Sequence, residues 1–361
     1  MNTAKFWLPL ISVAISVSAC GGGGGGGGGA APPPASGLPL VKIDSTNAAQ
    51  AASLAVSAID VRGKGNVGAN DAILPVSVVT SNASNSKLFA FARAQLLKNL
   101  EQRAQTAALA TSVTSTSTTA CEGNVGTFRA NFVDADATLK SVSNGDSVTL
   151  TFDNCLLDAG GNSKALSGSL AVTFSNIAGG HATRPLALPW TVTTTMTFTN
   201  LVGDDPFATQ TLTGSFSYTL HTADKVHFDG SITNGNDGFS IIDANKSTGA
   251  TDTRLLSNLA LNFTDDASQN YTILGTGHVS STKLGGSINF SNDGASEFIG
   301  KDATTAGETG FPKVGSMKVV GAANSNATVK AQGDDVNVEI DVDSNGDGLQ
   351  DDKLAAKWID L

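Results

Sequence analysis

The chain has 361 residues, a formal net charge of −10, 15% charged and 6% aromatic residues, and 40 glycines. So acidic a balance speaks against nucleic acid and anionic lipid headgroups as partners, and the Gly, Thr, Ser, Asn and Asp content is that of polar β structure rather than of helices. Beyond the N-terminal apolar run, no stretch approaches the roughly 20 apolar residues of a membrane-crossing helix.

That run opens the chain. Lys5 gives a positive start, Phe6 to Val17 an apolar segment, and Ser18-Ala19 the small residues of a cleavage site. Val17-Ser18-Ala19-Cys20 resembles the lipobox of bacterial lipoproteins. The resemblance implies that residues 1–19 are removed and that Cys20 becomes the mature N-terminus, carrying a thioether diacylglycerol and an N-acyl chain such as palmitate. Several acyl chains, at about 0.8 kcal/mol per buried methylene, anchor far more firmly than one. The competing reading is a secretory signal cut near Ala19, with Cys20 a free thiol. Residues 20–40 read as a tether: Gly21 to Gly29 buries nothing and stays flexible, and Pro32-Pro33-Pro34 stiffens its second half. Gly21 is not the aspartate that resembles an inner-membrane retention signal, so the outer membrane is the expected location. The sequence does not distinguish its periplasmic face from the cell surface.

Residues 41–119 read as a helical part ending in a linker. Asp44-Ser45-Thr46 caps a helix to about Ile59, with Ala49, Ala52, Leu54, Ala55, Val56 and Ile59 on its apolar side. A second helix is predicted from about Ser84 to Ala110, with Phe89, Ala92, Leu96, Leu97, Leu100, Ala104 and Ala108 as its stripe. Thr111 to Thr119, all Ser, Thr and Val, reads as the linker.

Residues 121–361 change to a period of two. Ser147 to Phe152, Leu170 to Phe174, Val192 to Phe198 and Phe216 to Leu220 alternate apolar and polar residues. Further strands are expected at Leu259 to Phe263, Tyr271 to Leu274, Ser287 to Phe290, Met317 to Val320, Val336 to Ile340 and Lys357 to Leu361. Turn signals such as Asn144-Gly145-Asp146 and Gly235-Asn236-Asp237 separate them. The predicted fold is mainly β: a long antiparallel, curved meander, open or partly closed as a half-barrel, with two N-terminal helices packed on it. An apolar-x-Gly-Ser-apolar repeat places Gly168, Gly214, Gly230 and Gly286 at bends. Cys121 and Cys155 form an even pair in an exported chain and read as a disulfide, worth about 3–4 kcal/mol in the chain-entropy model, against the alternative of two buried thiols. Cys121-Glu122-Gly123, Gly145 to Cys155, Leu166 to Leu170 and Asn47-Ala48-Ala49-Gln50 together resemble a group of β-rich proteobacterial lipoproteins. That resemblance implies a fold and no chemistry.

Asp341-Val342-Asp343-Ser344-Asn345-Gly346-Asp347-Gly348-Leu349-Gln350-Asp351-Asp352 resembles an EF-hand loop, and also the aspartate-rich loops of dockerin and thrombospondin type 3 repeats. The resemblance implies Asp341, Asp343, Asn345, Asp347 and Asp352 as ligands of one structural calcium ion. A polar turn before a last strand is the alternative. His221 and His227 fall on neighbouring strand ends, but a zinc site usually wants three or four ligands and no grouping offers them. Gly-x-Ser-x-Gly, His-Glu-x-x-His and phosphate-cradling loops are missing, and the aspartates sit in turn-like places, so the chain is read as a non-enzyme. Trp190 and Trp358 are assigned to the core. The expected function is a membrane-tethered binding or scaffolding protein with an envelope or cell-surface partner. The alternatives are a carrier of an apolar ligand in a curved-sheet groove and an envelope hydrolase.

Overall fold

The computed structural model describes residues 38–59, 113–121, 125–135, 143–156, 165–179, 188–204, 206–224, 227–266, 268, 270–292, 296–301 and 310–361. The signal segment, Cys20, the glycine run and the second predicted helix lie outside them.

Among the described residues, sixteen strands form one antiparallel sheet. The first six are β1 (Val113–Ala120), β2 (Thr127–Asp134), β3 (Ser147–Leu156), β4 (Ala165–Gly179), β5 (Trp190–Asp204) and β6 (Ala208–Thr222). Beside β6 lie β7 (Phe228–Thr233) and β8 (Phe239–Asn245), which share one place in the sheet, since both pair with β6 and with β9 (Thr251–Asp265). Next come β10 (Asn270–Ser281) and then β11 (Gly286–Ser291) with β12 (Phe298–Lys301), again two strands along one neighbour. The sheet closes its run with β13 (Ser316–Val320), β14 (Asn326–Ala331), β15 (Asn337–Asp343) and β16 (Asp352–Lys357). It is a meander: nearly every strand pairs with its sequence neighbours. The result is partly ring-closed without being a barrel, and β1 and β16 end the order.

Two sequence expectations are corrected. The Ser/Thr stretch is no linker but the strand β1, paired with β2 along its whole length. Its β-branched residues favour extended backbone, and without apolar alternation the strand looks like a loop in the sequence. The last strand is β16 rather than Lys357 to Leu361. In β16 only Leu354 and Ala356 turn inward, too weak a pattern to read, and the chain ends in a 3-10 turn, Trp358–Asp360. Trp358 is buried there, with ring centroids 5.5 Å from Phe298 and 6.0 Å from Phe311. Trp190 is buried as well.

A line of irregularities crosses the sheet. Asn154 in β3, Asn200 in β5 and Asn258 in β9 have left-handed backbone, with φ of 47°, 45° and 51°. Each lies where the register with the next strand slips. Between them lie Gly168 in β4 and Gly214 in β6, at φ of 101° and 109°. A Cβ on Gly168 would stand 2.0 Å from the Asn200 carbonyl oxygen, and one on Gly214 would stand 2.3 Å from that of Gly238. Glycine supplies both the backbone and the space. Residues 234–238, between β7 and β8, lie on the same line. The sheet creases along this line. Phe198, Gly214 and Phe239 stand in register on adjacent strands, and the rings of Phe198, Phe216 and Phe239 meet beside the glycine at 5.2–5.9 Å between centroids. Gly230 and Gly286, expected as bends, have no such backbone. The Phe263 ring covers Gly230, and Val41 and the Pro39 carbonyl crowd Gly286.

Inward side chains such as Leu150, Leu170, Phe174, Ile288, Val319 and Ile340 form the core. The outward face is polar, and hydroxyls meet across strands: Thr193 with Thr219 and Thr195 with Ser217 at 2.9 Å, and Thr264 with Thr272 at 2.8 Å.

Helix α1 (Ala48–Ile59) packs on β10, β11, β13, β14 and β15. Its start is fixed as expected: the Thr46 hydroxyl and N–H donate to Asp44 Oδ1 at 2.5 and 2.9 Å, and together they hold the Asp44 carboxyl below its ordinary value. The buried stripe is Ala48, Ala51, Ala52, Ala55, Ala58 and Ile59; Ala49 is exposed and Leu54 and Val56 are half-buried. Small side chains let the helix lie close to the sheet. Cys121 and Cys155 are bonded, with Cα atoms 5.3 Å apart, and join the end of β1 to the end of β3.

Gly214→Ala is expected to cost about 2 kcal/mol or more in denaturant unfolding, from the left-handed backbone and the crowded carbonyl. The control Gly235→Ala, where a Cβ meets nothing within 4 Å, is expected to stay within about 0.5 kcal/mol. Reduction of the Cys121–Cys155 bond is expected to cost about 3–4 kcal/mol in the same measurement.

Candidate functional site

The aspartate-rich segment is the tip of the β15–β16 hairpin, and the five predicted calcium ligands are not gathered around one point. Asp341 lies within β15 and its carboxylate pairs with Lys330 of β14. Asp352 begins β16, opposite Val342, and accepts a hydrogen bond from the Lys353 N–H at 2.8 Å. The tip is organised around Asp343 instead, two residues later than the sequence register. Its Oδ1 accepts from the Gly346 N–H at 2.7 Å, and its Oδ2 accepts from the Gly348 N–H at 2.9 Å and the Asn326 amide at 3.0 Å. Asp351, outside the predicted set, accepts from the N–H and hydroxyl of Ser344 at 2.8 and 2.7 Å. Asn345 accepts from the Asp347 N–H and Asp347 from the Leu349 N–H, each at 2.8 Å. The carboxylates are thus turned toward the loop's own donors. Among the described residues no three His, Cys, Asp or Glu side chains stand together as metal ligands.

His221 and His227 sit on the outward side of the β6–β7 hairpin. Each imidazole Nδ1 meets a carboxylate: Asp229 at 2.8 Å for His221, and Asp224 at 2.7 Å for His227. These are solvent-facing pairs that tie the hairpin. Similarly, Arg254 bridges Asp243 and Asp252 across β8 and β9, and the Gln210 amide donates to Asp243 at 2.6 Å. The His221–Asp229, Arg254–Asp243 and Gln210–Asp243 contacts join neighbouring strands, whereas His227–Asp224 lies within the β6–β7 turn and Asp252 is on β9 with Arg254. His181 lies outside the described residues.

The crease produces one feature that sequence reasoning missed. Where it passes between β9 and β10, Asn258 and Leu259 stand against the single residue Gly277. Beside this bulge is an open, shallow cavity of about 340 Å³ on the outward face, lined by Asn258, Thr276, His278, Asn289 and Ser291, with Gly277, Phe290 and Val320 completing it. His278 Nδ1 lies 2.9 Å from Asn289 Oδ1. An amide oxygen only accepts, so Nδ1 carries the hydrogen, and in the neutral imidazole Nε2 presents a lone pair. The signal was present in the sequence as a second repeat, an apolar residue followed two positions on by asparagine: Phe152-Asp153-Asn154, Phe174-Ser175-Asn176, Phe198-Thr199-Asn200 and Leu256-Ser257-Asn258. Asparagine is the side-chain-bearing residue that best tolerates left-handed backbone, so its recurrence marks the bulges.

No family model, no curated protein and no solved structure matches this chain.

The hairpin tip generates a stability prediction. Burial pushes the Asp343 carboxyl up, but the Gly346 and Gly348 N–H groups and the Asn326 amide together outweigh it and hold the group below the ordinary value of 3.8. The Ser344 hydroxyl and N–H do the same for Asp351. A lowered carboxyl stabilises the fold above its unfolded value, and that contribution is lost as pH falls through the lower folded value. The tip is therefore expected to loosen below about pH 4, read as faster amide exchange at residues 344–351. Asp343→Ala is expected to lower Tm in the presence of a chelator, because its partners are protein groups, and by more than Asp347→Ala. A calcium-dependent rise in the Tm of the unmodified protein that disappears in Asp347→Ala would instead place a cation at the tip.

Proposed function

We propose that this chain is a lipid-anchored protein of the bacterial outer membrane whose body has a non-catalytic binding or scaffolding role toward an envelope or cell-surface partner. The anchor is Cys20, by its resemblance to the lipobox cysteine, and the tether is the stretch read as residues 20–40, of which Leu38 to Leu40 are already bonded to the sheet at Ser287. The observation that carries the reading is how the chain enters the fold at Leu38. The Ser287 N–H donates to the Pro39 carbonyl at 2.9 Å, the Val41 N–H to the Ser287 carbonyl at 3.0 Å, and the Ala322 N–H to the Val41 carbonyl at 2.7 Å. The Ser287 hydroxyl donates to the Leu38 carbonyl at 2.9 Å, and the Ile43 N–H to the Ser325 hydroxyl at 2.8 Å. This strap leads into α1, where the Ser53 hydroxyl donates to the Leu361 carbonyl. Force applied through a leash is shared among these bonds and spread over the C-terminal half of the sheet. A disulfide formed between Cys121 and Cys155 suits an exported protein.

The outward hydroxyl face is the surface offered for binding. Some of its hydroxyls meet across strands, as Thr193 with Thr219 and Thr195 with Ser217 do, and charged pairs such as Arg254 with Asp243 lie among them, which supports an extended polar contact.

The test is metabolic labelling with a palmitate analogue and membrane fractionation of the full chain and of Cys20→Ser. Label and membrane association are expected for the former and loss of both for the latter. A full chain that is unlabelled and released in soluble form would sink the anchor.

A further inference from the structure

We propose that the cavity at the crease between β9, β10 and β11 is a binding site for a neutral pyranose sugar. The proposal deepens the binding role above and names its ligand class.

The polar side chains of the lining are all uncharged. It offers two side-chain amides, Asn258 and Asn289, one imidazole, His278, and two hydroxyls, Thr276 and Ser291; it holds no carboxylate, ammonium or guanidinium. A site for an anion or a cation needs a compensating charge, whereas uncharged groups that donate and accept match the vicinal hydroxyls of a sugar. With Nδ1 committed to Asn289, His278 Nε2 accepts from a hydroxyl, and the Asn289 NH₂ donates to a neighbouring oxygen. Half-buried Val320 adds apolar surface for the C–H face of a pyranose, while the Phe290 ring, buried in the core, fills the space over Gly277 from the inward side.

The bulge also fixes the position of Asn258. Its backbone is tied from behind: the Asn258 N–H donates to the Gly235 carbonyl at 3.3 Å, and the Leu259 N–H to Asn234 Oδ1 at 2.7 Å. At two of the equivalent left-handed positions, the Asn176 amide donates to the Thr193 hydroxyl and Asn200 Oδ1 accepts from Thr213; at Asn154 only the backbone N–H is bonded, to the Ser167 hydroxyl. The Asn258 side chain makes no hydrogen bond to the described protein. It is held by a rigid backbone, beside a cavity, with its amide free for a ligand. Bulges that re-aim a side chain in this way are found next to binding sites. The volume of about 340 Å³ lies at the lower end of the roughly 300–1,000 Å³ range of small-molecule sites, as suits a monosaccharide.

The experiment is an amide chemical-shift titration of the exported body with methyl glucoside, methyl galactoside and N-acetylglucosamine, each taken into the high millimolar range. At least one sugar is expected to give saturable shifts confined to residues 257–259, 276–278 and 289–291. His278→Ala is expected to weaken that binding roughly tenfold, the worth of one hydrogen bond. Thr276→Arg, which fills the cavity from its exposed rim, is expected to abolish it, and unchanged shifts in distant strands report that both variants fold. Saturable binding by none of the three sugars overturns the proposal, as does binding that survives in Thr276→Arg. Neither result touches the anchor, whose test is palmitate labelling.

Discussion

The structure depends on a backbone constraint: strand after strand must pass through left-handed conformation at nearly the same height in the sheet. Asn154, Gly168, Asn200, Gly214 and Asn258 meet it in β3, β4, β5, β6 and β9. For an ordinary residue each such conformation costs about 1–2 kcal/mol, so the positions fall to glycine and asparagine, for which the cost is small. A sheet this long has to bend if it is to bury one face, and this line is where it does so. The missing side chains are then used twice. At Gly168 and Gly214 they let carbonyls of the adjoining strand come close, and beside Gly214 they leave space where the rings of Phe198, Phe216 and Phe239 meet; Gly230 and Gly277, with ordinary backbone, make room for Phe263 and Phe290. Glycine weakens a strand by itself, and a cross-strand aromatic returns part of the loss through burial.

The two halves of the sheet are completed in different ways. Toward the C-terminus, the inward face of β10 to β15 is covered by α1, whose alanine stripe permits a short distance to the sheet. The strap before the helix and the contact between Ser53 and Leu361 bring both ends of the described body together. Toward the N-terminus, the Cys121–Cys155 bond ties β1 to β3 beside the crease. The polar groups of the outward face are used largely for cohesion. His221 with Asp229, Arg254 with Asp243 and the threonine pairs each join adjacent strands.

This division of labour bears on function. In the binding role proposed above, the extended polar face would meet a partner over an area. The exception is the crease, where the ladder is interrupted and side chains are left with unused hydrogen-bonding capacity. The cavity beside Asn258 belongs to the mechanics of the bend: the same slip in register that lets the sheet turn also turns this amide away from its neighbours.

Much of this was legible in the sequence, and the rest was hidden for definite reasons. The meander, the inward face, the helix start at Asp44 and the cysteine pair were readable, because period-two alternation, capping chemistry and an even cysteine count are local signals. Strand β1 was lost because threonine and serine alternate without an apolar partner, and β16 because leucine and alanine mark its inward side too faintly. The aspartate loop showed its composition but not its register: Asp341 and Asp343 differ only in which groups the hairpin sets beside them, Lys330 for one and the Gly346 and Gly348 N–H groups for the other. The glycine repeat likewise mixed two kinds of position, since a bend at Gly214 and a covered gap at Gly230 are alike in sequence. The order of residues by itself determined that this chain forms a long antiparallel sheet with one apolar face. Only the tertiary structure decided where that sheet bends and which side chains the bend leaves free, because both depend on register between strands that no local pattern carries.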